Sequence, residues 1–207
     1  MKWLRVVLHA VGRFALTVVF GIAPVKPIRA QQCLVVANHN THLDILVLLR
    51  LFPLGDIHKV RVIAAADYFS KGLTGLCART LLPLILIDRH AKKADTAIDP
   101  VEEALIAGYS IIIFPEGSRG APGELQPFKT GIGKLAMDFP DLPVYPVLLE
   151  GIEKTLPRGK MLPVPFTIRL KTASPLYGRD FLADSPSRGR KTFTSALEAT
   201  VRNLQTP

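Results

Sequence analysis

From about residue 30 onward, short apolar runs alternate with amphipathic segments. The apolar runs are continuous rather than alternating, which is typical of strands buried on both faces of a parallel sheet. The predicted strands are Leu34–Ala37, Val60–Ala66, Leu82–Ile87, Tyr109–Phe114 and Val144–Leu149. The segments between them predict helices over Thr41–Phe52, Asp67–Thr80, Asp95–Ala107 and Thr130–Phe139.

The pattern changes after Gly151. Residues Phe166–Lys171 alternate between apolar and polar positions, as an edge or antiparallel strand does, and Lys191–Leu204 predicts a closing helix. No internal repeat or composition shift marks a second domain. The sequence therefore predicts one α/β domain over residues 31–207, with a mostly parallel mixed sheet flanked by helices.

The first thirty residues form a separate apolar segment. Between Trp3 and Ala23 the apolar run is interrupted by Arg5, His9 and Arg13, which recur every four residues along one side of a helix. This pattern favours an amphipathic helix that lies in a membrane interface, with arginine stems reaching the headgroups. The alternatives are a tilted single span, a core helix and a signal peptide, although Pro24 disfavours cleavage after Ala23.

The charge distribution supports a membrane partner. The 207 residues carry a formal net charge of +9, and no acidic residue precedes Asp44. Because the early cations are interspersed with apolar residues, an anionic membrane surface is favoured over nucleic acid, for which no recognition motif is present. Cys33 and Cys77 lie among apolar neighbours and predict buried thiols.

His39 and Asp44 follow the first predicted strand at an H-x-x-x-x-D spacing. The carboxyl ends of parallel strands are where open α/β sheets bind their ligands. A histidine there with a carboxylate in reach predicts a general base and the group that orients it. Thr41 to Asp44 also reads as a capping box with Asp44 at N3, and the two interpretations are compatible because an N3 side chain lies close to the preceding loop.

Three further polar clusters flank the later strands. They are Asp88-Arg89 after the third strand, Phe114-Pro115-Glu116-Gly117-Ser118-Arg119 after the fourth, and Phe128-Lys129-Thr130-Gly131 before a helix. Each alone is typical of a surface pair, a turn or a solvated lysine. Together, Arg89, Arg119 and Lys129 predict a phosphate site, because guanidinium and ammonium groups bind phosphate oxygens strongly.

These blocks, in this order, resemble the PlsC-type family of glycerolipid acyltransferases, the 1-acylglycerol-3-phosphate O-acyltransferases. Asn38–Asp44 resembles its first block, Leu86–Arg89 the second, Phe114–Arg119 the third, and the proline-flanked strand Leu142–Val147 the fourth. Phe128–Gly131 resembles the F-K-x-G segment of the family. Two departures are Ser118, where the family usually has threonine, and a second block without the usual glycine and aromatic residues.

The resemblance implies acyl transfer from a thioester, acyl-CoA or acyl carrier protein, to the free hydroxyl of a lysophospholipid, with 1-acylglycerol 3-phosphate as the favoured acceptor. It makes His39 the base and Asp44 its orienting partner. It implies an acceptor site formed by Arg89, Glu116, Gly117, Ser118, Arg119 and Lys129. Glu116 would orient an arginine or the glycerol end. No cofactor is implied, and the expected location is the cytoplasmic face of the inner or plasma membrane.

Other functions remain open at this stage. Related acyltransferases with the same blocks use other lyso-lipids, glycerol 3-phosphate or acylated amino acids. His39-x-x-His42-x-Asp44 superficially suggests a metal-dependent hydrolase, but His9, His58 and His90 offer no second ligand spacing. A non-catalytic lipid-binding protein is disfavoured because the polar residues of the first and third blocks are intact.

Overall fold

The computed structural model describes residues 2–41, 43–66, 82–87, 98–117, 123–152, 167–182 and 185–205. The helices in these ranges are α1 (Lys2–Phe20), α2 (Asp44–Leu48), α3 (Asp99–Ile106), α4 (Gly131–Asp138) and α5 (Pro186–Asn203). The strands are β1 (Leu34–Ala37), β2 (Val60–Ala65), β3 (Leu84–Ile87), β4 (Ser110–Ile113), β5 (Val144–Glu150) and β6 (Arg169–Thr172). Short 3-10 helices lie at Leu49–Leu51, Leu54–Lys59 and Gly178–Phe181.

The six strands form one mixed sheet in the order β3-β2-β4-β1-β5-β6. Strand β1 is central and runs parallel to both neighbours, β4 and β5, while β6 pairs antiparallel with β5 at one edge. This confirms the predicted α/β class with a mostly parallel sheet. Because β1 and β4 are adjacent and parallel, the loops that follow them emerge side by side at the same edge of the sheet.

Both faces of the sheet are covered, as the continuous apolar strands predict. Cys33, Val35 and Ala37 face one core, which they share with residues of α1 and α2. Leu34 and Val36 face the other core, against residues of α3, α4 and α5. The alternation along β1 follows from the two-residue period of a strand, so an apolar residue is needed at every position.

Helix α1 is oriented differently from the sequence-based expectation. The Arg13 guanidinium points into the protein, where its Nη2 donates to the carbonyls of Leu49 (2.5 Å) and Phe52 (2.6 Å). The expectation that Arg13 reaches lipid headgroups is therefore wrong. The physical reason is that the carbonyls of Leu49 and Phe52, at the end of the 3-10 helix, each keep a lone pair that can accept from a side chain, and a guanidinium supplies the donors.

The predicted elements otherwise differ mainly at their ends. The helix expected over Thr41–Phe52 is only Asp44–Leu48 before it tightens into the 3-10 turn, and the helix expected from Lys191 begins at Pro186. The segment expected to be a strand over Phe166–Lys171 pairs only from Arg169 to Thr172. The helix expected over Asp67–Thr80 lies outside the described residues.

Candidate active site

The candidate site lies at the carboxyl ends of the two adjacent parallel strands β1 and β4. His39 follows β1 after one residue, and Glu116 lies three residues after β4. The two residues are 77 positions apart in the chain, but the sheet brings the His39 backbone N–H to 2.8 Å from Glu116 Oε1. This edge of an open α/β sheet is the expected place for chemistry.

The His39 imidazole is paired with Asp44. His39 Nδ1 lies 2.8 Å from Asp44 Oδ2, with the His39 side chain 21% exposed and the Asp44 side chain fully buried. The same Oδ2 accepts the backbone N–H groups of Asn40 (2.6 Å) and Thr41 (2.9 Å). The carboxylate is thus the acceptor, so neutral His39 carries its proton on Nδ1 and has the lone pair on Nε2.

Asp44 is held in place by the start of the helix. Thr41 Oγ1 donates to Asp44 Oδ1 (3.0 Å) and accepts from the backbone N–H of Leu43 (3.1 Å). Only half of the predicted capping box is therefore present: the Thr41 N–H donates to the carboxylate, but Thr41 Oγ1 accepts from Leu43 and not from Asp44. One turn of backbone therefore positions the carboxylate that orients the histidine, although regular helix begins only at Asp44.

Two residues that the sequence interpretation did not assign also hold His39. The Asn38 side chain exchanges two hydrogen bonds with the backbone of Leu149 on β5, accepting from its N–H (2.7 Å) and donating to its carbonyl (3.0 Å). The Phe114 ring stacks on the imidazole, with centroids 4.3 Å apart and planes 23° apart. Asn38 stands next to His39 in the chain, but its bond to β5 depends on strand order, which sequence does not reveal.

Glu116 connects three segments of the chain. Oε1 accepts the N–H of His39, and Oε2 accepts the N–H of Gln126 at 2.9 Å. The residue is only 4% exposed. Burial raises the pKa of this carboxyl, while the two backbone hydrogen bonds and the nearby His39 act in the opposite direction. In the described part of the chain, the Glu116 carboxylate thus contacts backbone amides. The sequence interpretation expected it to orient an arginine or the glycerol end of the acceptor.

Gly117 and Lys129 lie against each other beside this carboxylate. Gly117 has a φ of 73°, and a Cβ built on it would lie 2.5 Å from Lys129 Nζ. The Lys129 backbone N–H donates to the carbonyl of Pro115 (2.9 Å), which fixes the lysine near the end of β4. Lys129 is exposed. The absence of a side chain at Gly117 therefore leaves room for a cation to cross the loop.

The predicted site residues are thus brought together where the structure describes them. His39, Asp44, Glu116, Gly117 and Lys129 form one connected group around the ends of β1 and β4. The other three predicted residues, Arg89, Ser118 and Arg119, lie outside the described residues, as does His42. Within the described ranges, no group of three histidine, cysteine or acidic side chains is arranged to hold a metal ion.

Comparison with known proteins identifies the family. Residues 22–150, more than half of the chain, match the family model described as Acyltransferase. The chain belongs to this family. The matched range contains His39, Asp44, Glu116 and Lys129 and extends to the end of β5. The resemblance drawn from the four sequence blocks is confirmed.

The curated relatives within this family share one description. They include 1-acyl-sn-glycerol-3-phosphate acyltransferases from Limnanthes alba (31% identical, covering 67% of this chain and 49% of that protein) and Limnanthes douglasii (30%, covering 78% and 57%). A third is the alpha form from Mus musculus (31%, covering 74% and 52%). The chain spans about half the length of these relatives.

A solved structure shows the same fold. The 1-acyl-sn-glycerophosphate (LPA) acyltransferase PlsC from Thermotoga maritima superposes with a TM-score of 0.71 at 23% identity, covering all of this chain and 81% of that one. The likeness extends over the whole chain, including the part before residue 22 that the family model does not match. The single α/β domain with a mixed sheet is therefore a fold shared with PlsC.

Proposed function

We propose that this protein is an O-acyltransferase that moves a fatty acyl group from a thioester to the free hydroxyl of a lysophospholipid. The observation that carries the proposal is the His39–Asp44 pair at 2.8 Å, at the carboxyl end of the central strand and inside the family-matched range. The favoured acceptor is 1-acylglycerol 3-phosphate, the substrate in the names of the curated relatives. The product would be phosphatidic acid.

The chemistry needs one base and no nucleophile from the protein. His39 Nε2 accepts the proton of the acceptor hydroxyl as that oxygen attacks the thioester carbonyl carbon. A C–O bond forms, the C–S bond breaks, and the leaving sulfur takes the proton from the imidazolium. Asp44 keeps Nδ1–H in place and stabilises the imidazolium without itself taking up a proton, as the aspartate of a serine-protease triad does.

The acceptor's phosphate requires cations near this base. Lys129 crosses Gly117 beside the end of β4 and is exposed, which supports a role in binding the phosphate. The resemblance adds Arg89 and Arg119 to this site. It also adds Ser118, which lies between Gly117 and Arg119 in the chain. An acceptor bound by these cations would have its glycerol hydroxyl near the loop that carries His39.

The proposal is tested by measuring the release of thiol from acyl-CoA in the presence of 1-acylglycerol 3-phosphate. His39→Ala should reduce turnover on the order of 100-fold or more, because general base catalysis contributes about 10²–10⁴-fold. His58→Ala, at an exposed histidine of the 3-10 helix Leu54–Lys59, is the matched control and should retain activity. Equal turnover by wild type and His39→Ala would remove this histidine from the mechanism.

The same assay separates the remaining substrates. Parallel reactions with acyl-CoA and with acylated acyl carrier protein identify the donor. Parallel acceptors should include other lysophospholipids, glycerol 3-phosphate and an acylated amino acid. A higher kcat/KM for one of these than for 1-acylglycerol 3-phosphate would reassign the acceptor but retain the His39 mechanism.

We further propose that α1 places the protein on an anionic membrane, at the cytoplasmic face where the sequence interpretation puts it. Val7, Val11, Phe14 and Val18 are between 52% and 72% exposed and recur every three or four residues, which makes one apolar stripe. The net charge of +9 would attract anionic headgroups. In the described part of the chain, no helix has the length and hydropathy to cross a membrane.

A further inference from the structure

We propose that Glu116 is a positioning residue that fixes the backbone of His39, and that it does not bind the acceptor. This inference rests on the proposed function, because it assigns Glu116 a role through the same base. It differs from the role that the sequence resemblance implies, in which the carboxylate faces an arginine or the glycerol.

The contacts of the carboxylate favour a fixed structural partner over a substrate. Each oxygen accepts one backbone N–H, from His39 at 2.8 Å and from Gln126 at 2.9 Å. With the residue only 4% exposed, little of the carboxylate is open to an incoming hydroxyl. If an acceptor hydroxyl displaced either amide, that N–H would lose its acceptor, which is unfavourable.

The backbone segment around Gln126 is held in place by other contacts besides the one to Glu116. Two residues farther along, the N–H of Phe128 donates to Glu198 Oε2 (2.9 Å), and that of Lys129 donates to the Pro115 carbonyl (2.9 Å). The segment that carries Lys129 therefore remains fixed if the carboxylate of Glu116 is removed. Loss of the Glu116 carboxylate should therefore act mainly on the backbone of His39, whose N–H it accepts.

His39 is held at two points, by Asp44 at the ring and by Glu116 at the backbone N–H. Loss of the second contact should allow the backbone that carries the imidazole to shift, while Asp44 still holds the ring.

The test compares Glu116→Gln with Glu198→Gln. Both remove the charge of a carboxylate that accepts a backbone N–H from the same loop, but only Glu116 contacts His39. For Glu116→Gln we expect kcat to fall on the order of 100-fold, because small misplacement of a reacting group has effects of that size. The acceptor KM should stay within about twofold of the wild-type value. In Glu198→Gln, kcat should stay within about twofold of the wild-type value.

Two results would overturn the proposal. One is a raised acceptor KM with unchanged kcat in Glu116→Gln, which would make the residue a substrate ligand. The other is a fall in kcat of the same size in both variants, which would assign the effect to the loop that they share and not to His39. If wild type has no transferase activity with any acceptor, the proposed function fails. The NMR resonance of the His39 backbone amide still tests the inference, since its chemical shift should change in Glu116→Gln and not in Glu198→Gln.

Discussion

At the scale of single residues, the site depends on carboxylates that backbone amides hold in place. Asp44 accepts from the backbone of Asn40 and Thr41 as well as from the imidazole, so a loop of six residues contains both the base and its support. Because all its members are close in sequence, the H-x-x-x-x-D spacing was sufficient to predict the pair. The role of Glu116 was not predictable in this way, since its amide partners lie 77 and 10 residues away.

Gly117 offers a test of the role of Lys129. Gly117→Ala introduces a methyl group 2.5 Å from the present position of Lys129 Nζ, so the lysine side chain must move. If its ammonium binds the acceptor phosphate, the acceptor KM should rise on the order of tenfold, which matches the loss of one charge-assisted hydrogen bond. Steady-state kinetics with varied 1-acylglycerol 3-phosphate measure this change.

The matched control is Gly108→Ala. Gly108 also has a positive φ, of 84°, but a Cβ there meets nothing within 4 Å. Both variants should lose about 1–2 kcal/mol of unfolding free energy from the left-handed backbone, measured by denaturant titration. Only Gly117→Ala should alter the acceptor KM. The same KM in the two variants would exclude Lys129 from acceptor binding.

At the scale of elements, the N-terminal helix was predicted correctly as a helix and wrongly in its orientation. Its cations were expected to reach the lipid headgroups because they recur every four residues along one side of an apolar helix. Arg13 instead donates to Leu49 and Phe52, and Arg50 donates back to the Arg13 carbonyl (2.9 Å) and to Thr17 Oγ1 (2.8 Å). Burial first, and then the charge of Arg50, lower the pKa of Arg13. The contact of Arg13 with these carbonyls cannot be inferred from the spacing within α1.

This orientation changes the prediction for membrane binding. The surface that α1 presents outward is the apolar stripe, so substitution there should affect lipid binding without affecting the core. Val11 and Phe14 are 61% and 72% exposed. Changing both to Glu should weaken co-sedimentation with anionic vesicles on the order of 100-fold or more, since burial of each such side chain contributes about 1.5–3 kcal/mol.

The control for this experiment is an equally exposed apolar residue elsewhere. Ile106, at the end of α3, is 76% exposed, and Ile106→Glu should leave vesicle binding unchanged apart from the effect of one charge. The thermal midpoints of both variants should match that of the wild type. Undiminished sedimentation of the double variant would show that the stripe is not the lipid-binding surface.

At the scale of the whole molecule, the sequence predicted the class of the sheet but not its order. The parallel strands are all predominantly apolar, so their composition does not distinguish a central position from a lateral one. Strand β4 enters between β2 and β1, and β5 then pairs on the other side of β1. That order places the loops after β1 and β4 next to each other. Clusters recognised separately along the chain, those of His39 and Glu116, therefore become one site.

The central strand also provides a probe of global stability through Cys33. This thiol is completely buried just before β1, and burial raises its pKa from 9.0 to about 11. Because the folded pKa is the higher one, the associated stabilisation is fully present below pH 9 and is lost as the pH rises toward 11. By that pH the loss should be about 2 kcal/mol, obtained from urea unfolding at each pH.

Cys33→Ala separates this effect from other titrations. The variant should be less stable by a roughly constant amount at neutral pH, because a small buried side chain has been removed. Between pH 9 and pH 11 its unfolding free energy should decline less steeply than that of the wild type. Burial is also the largest cause of the raised pKa of Tyr145, and that part is common to both proteins, while the smaller contribution from Cys33 is lost in the variant. Parallel pH profiles for the two proteins would mean that Cys33 ionises in the folded state as readily as in the unfolded chain, which is incompatible with a closed sheet around β1.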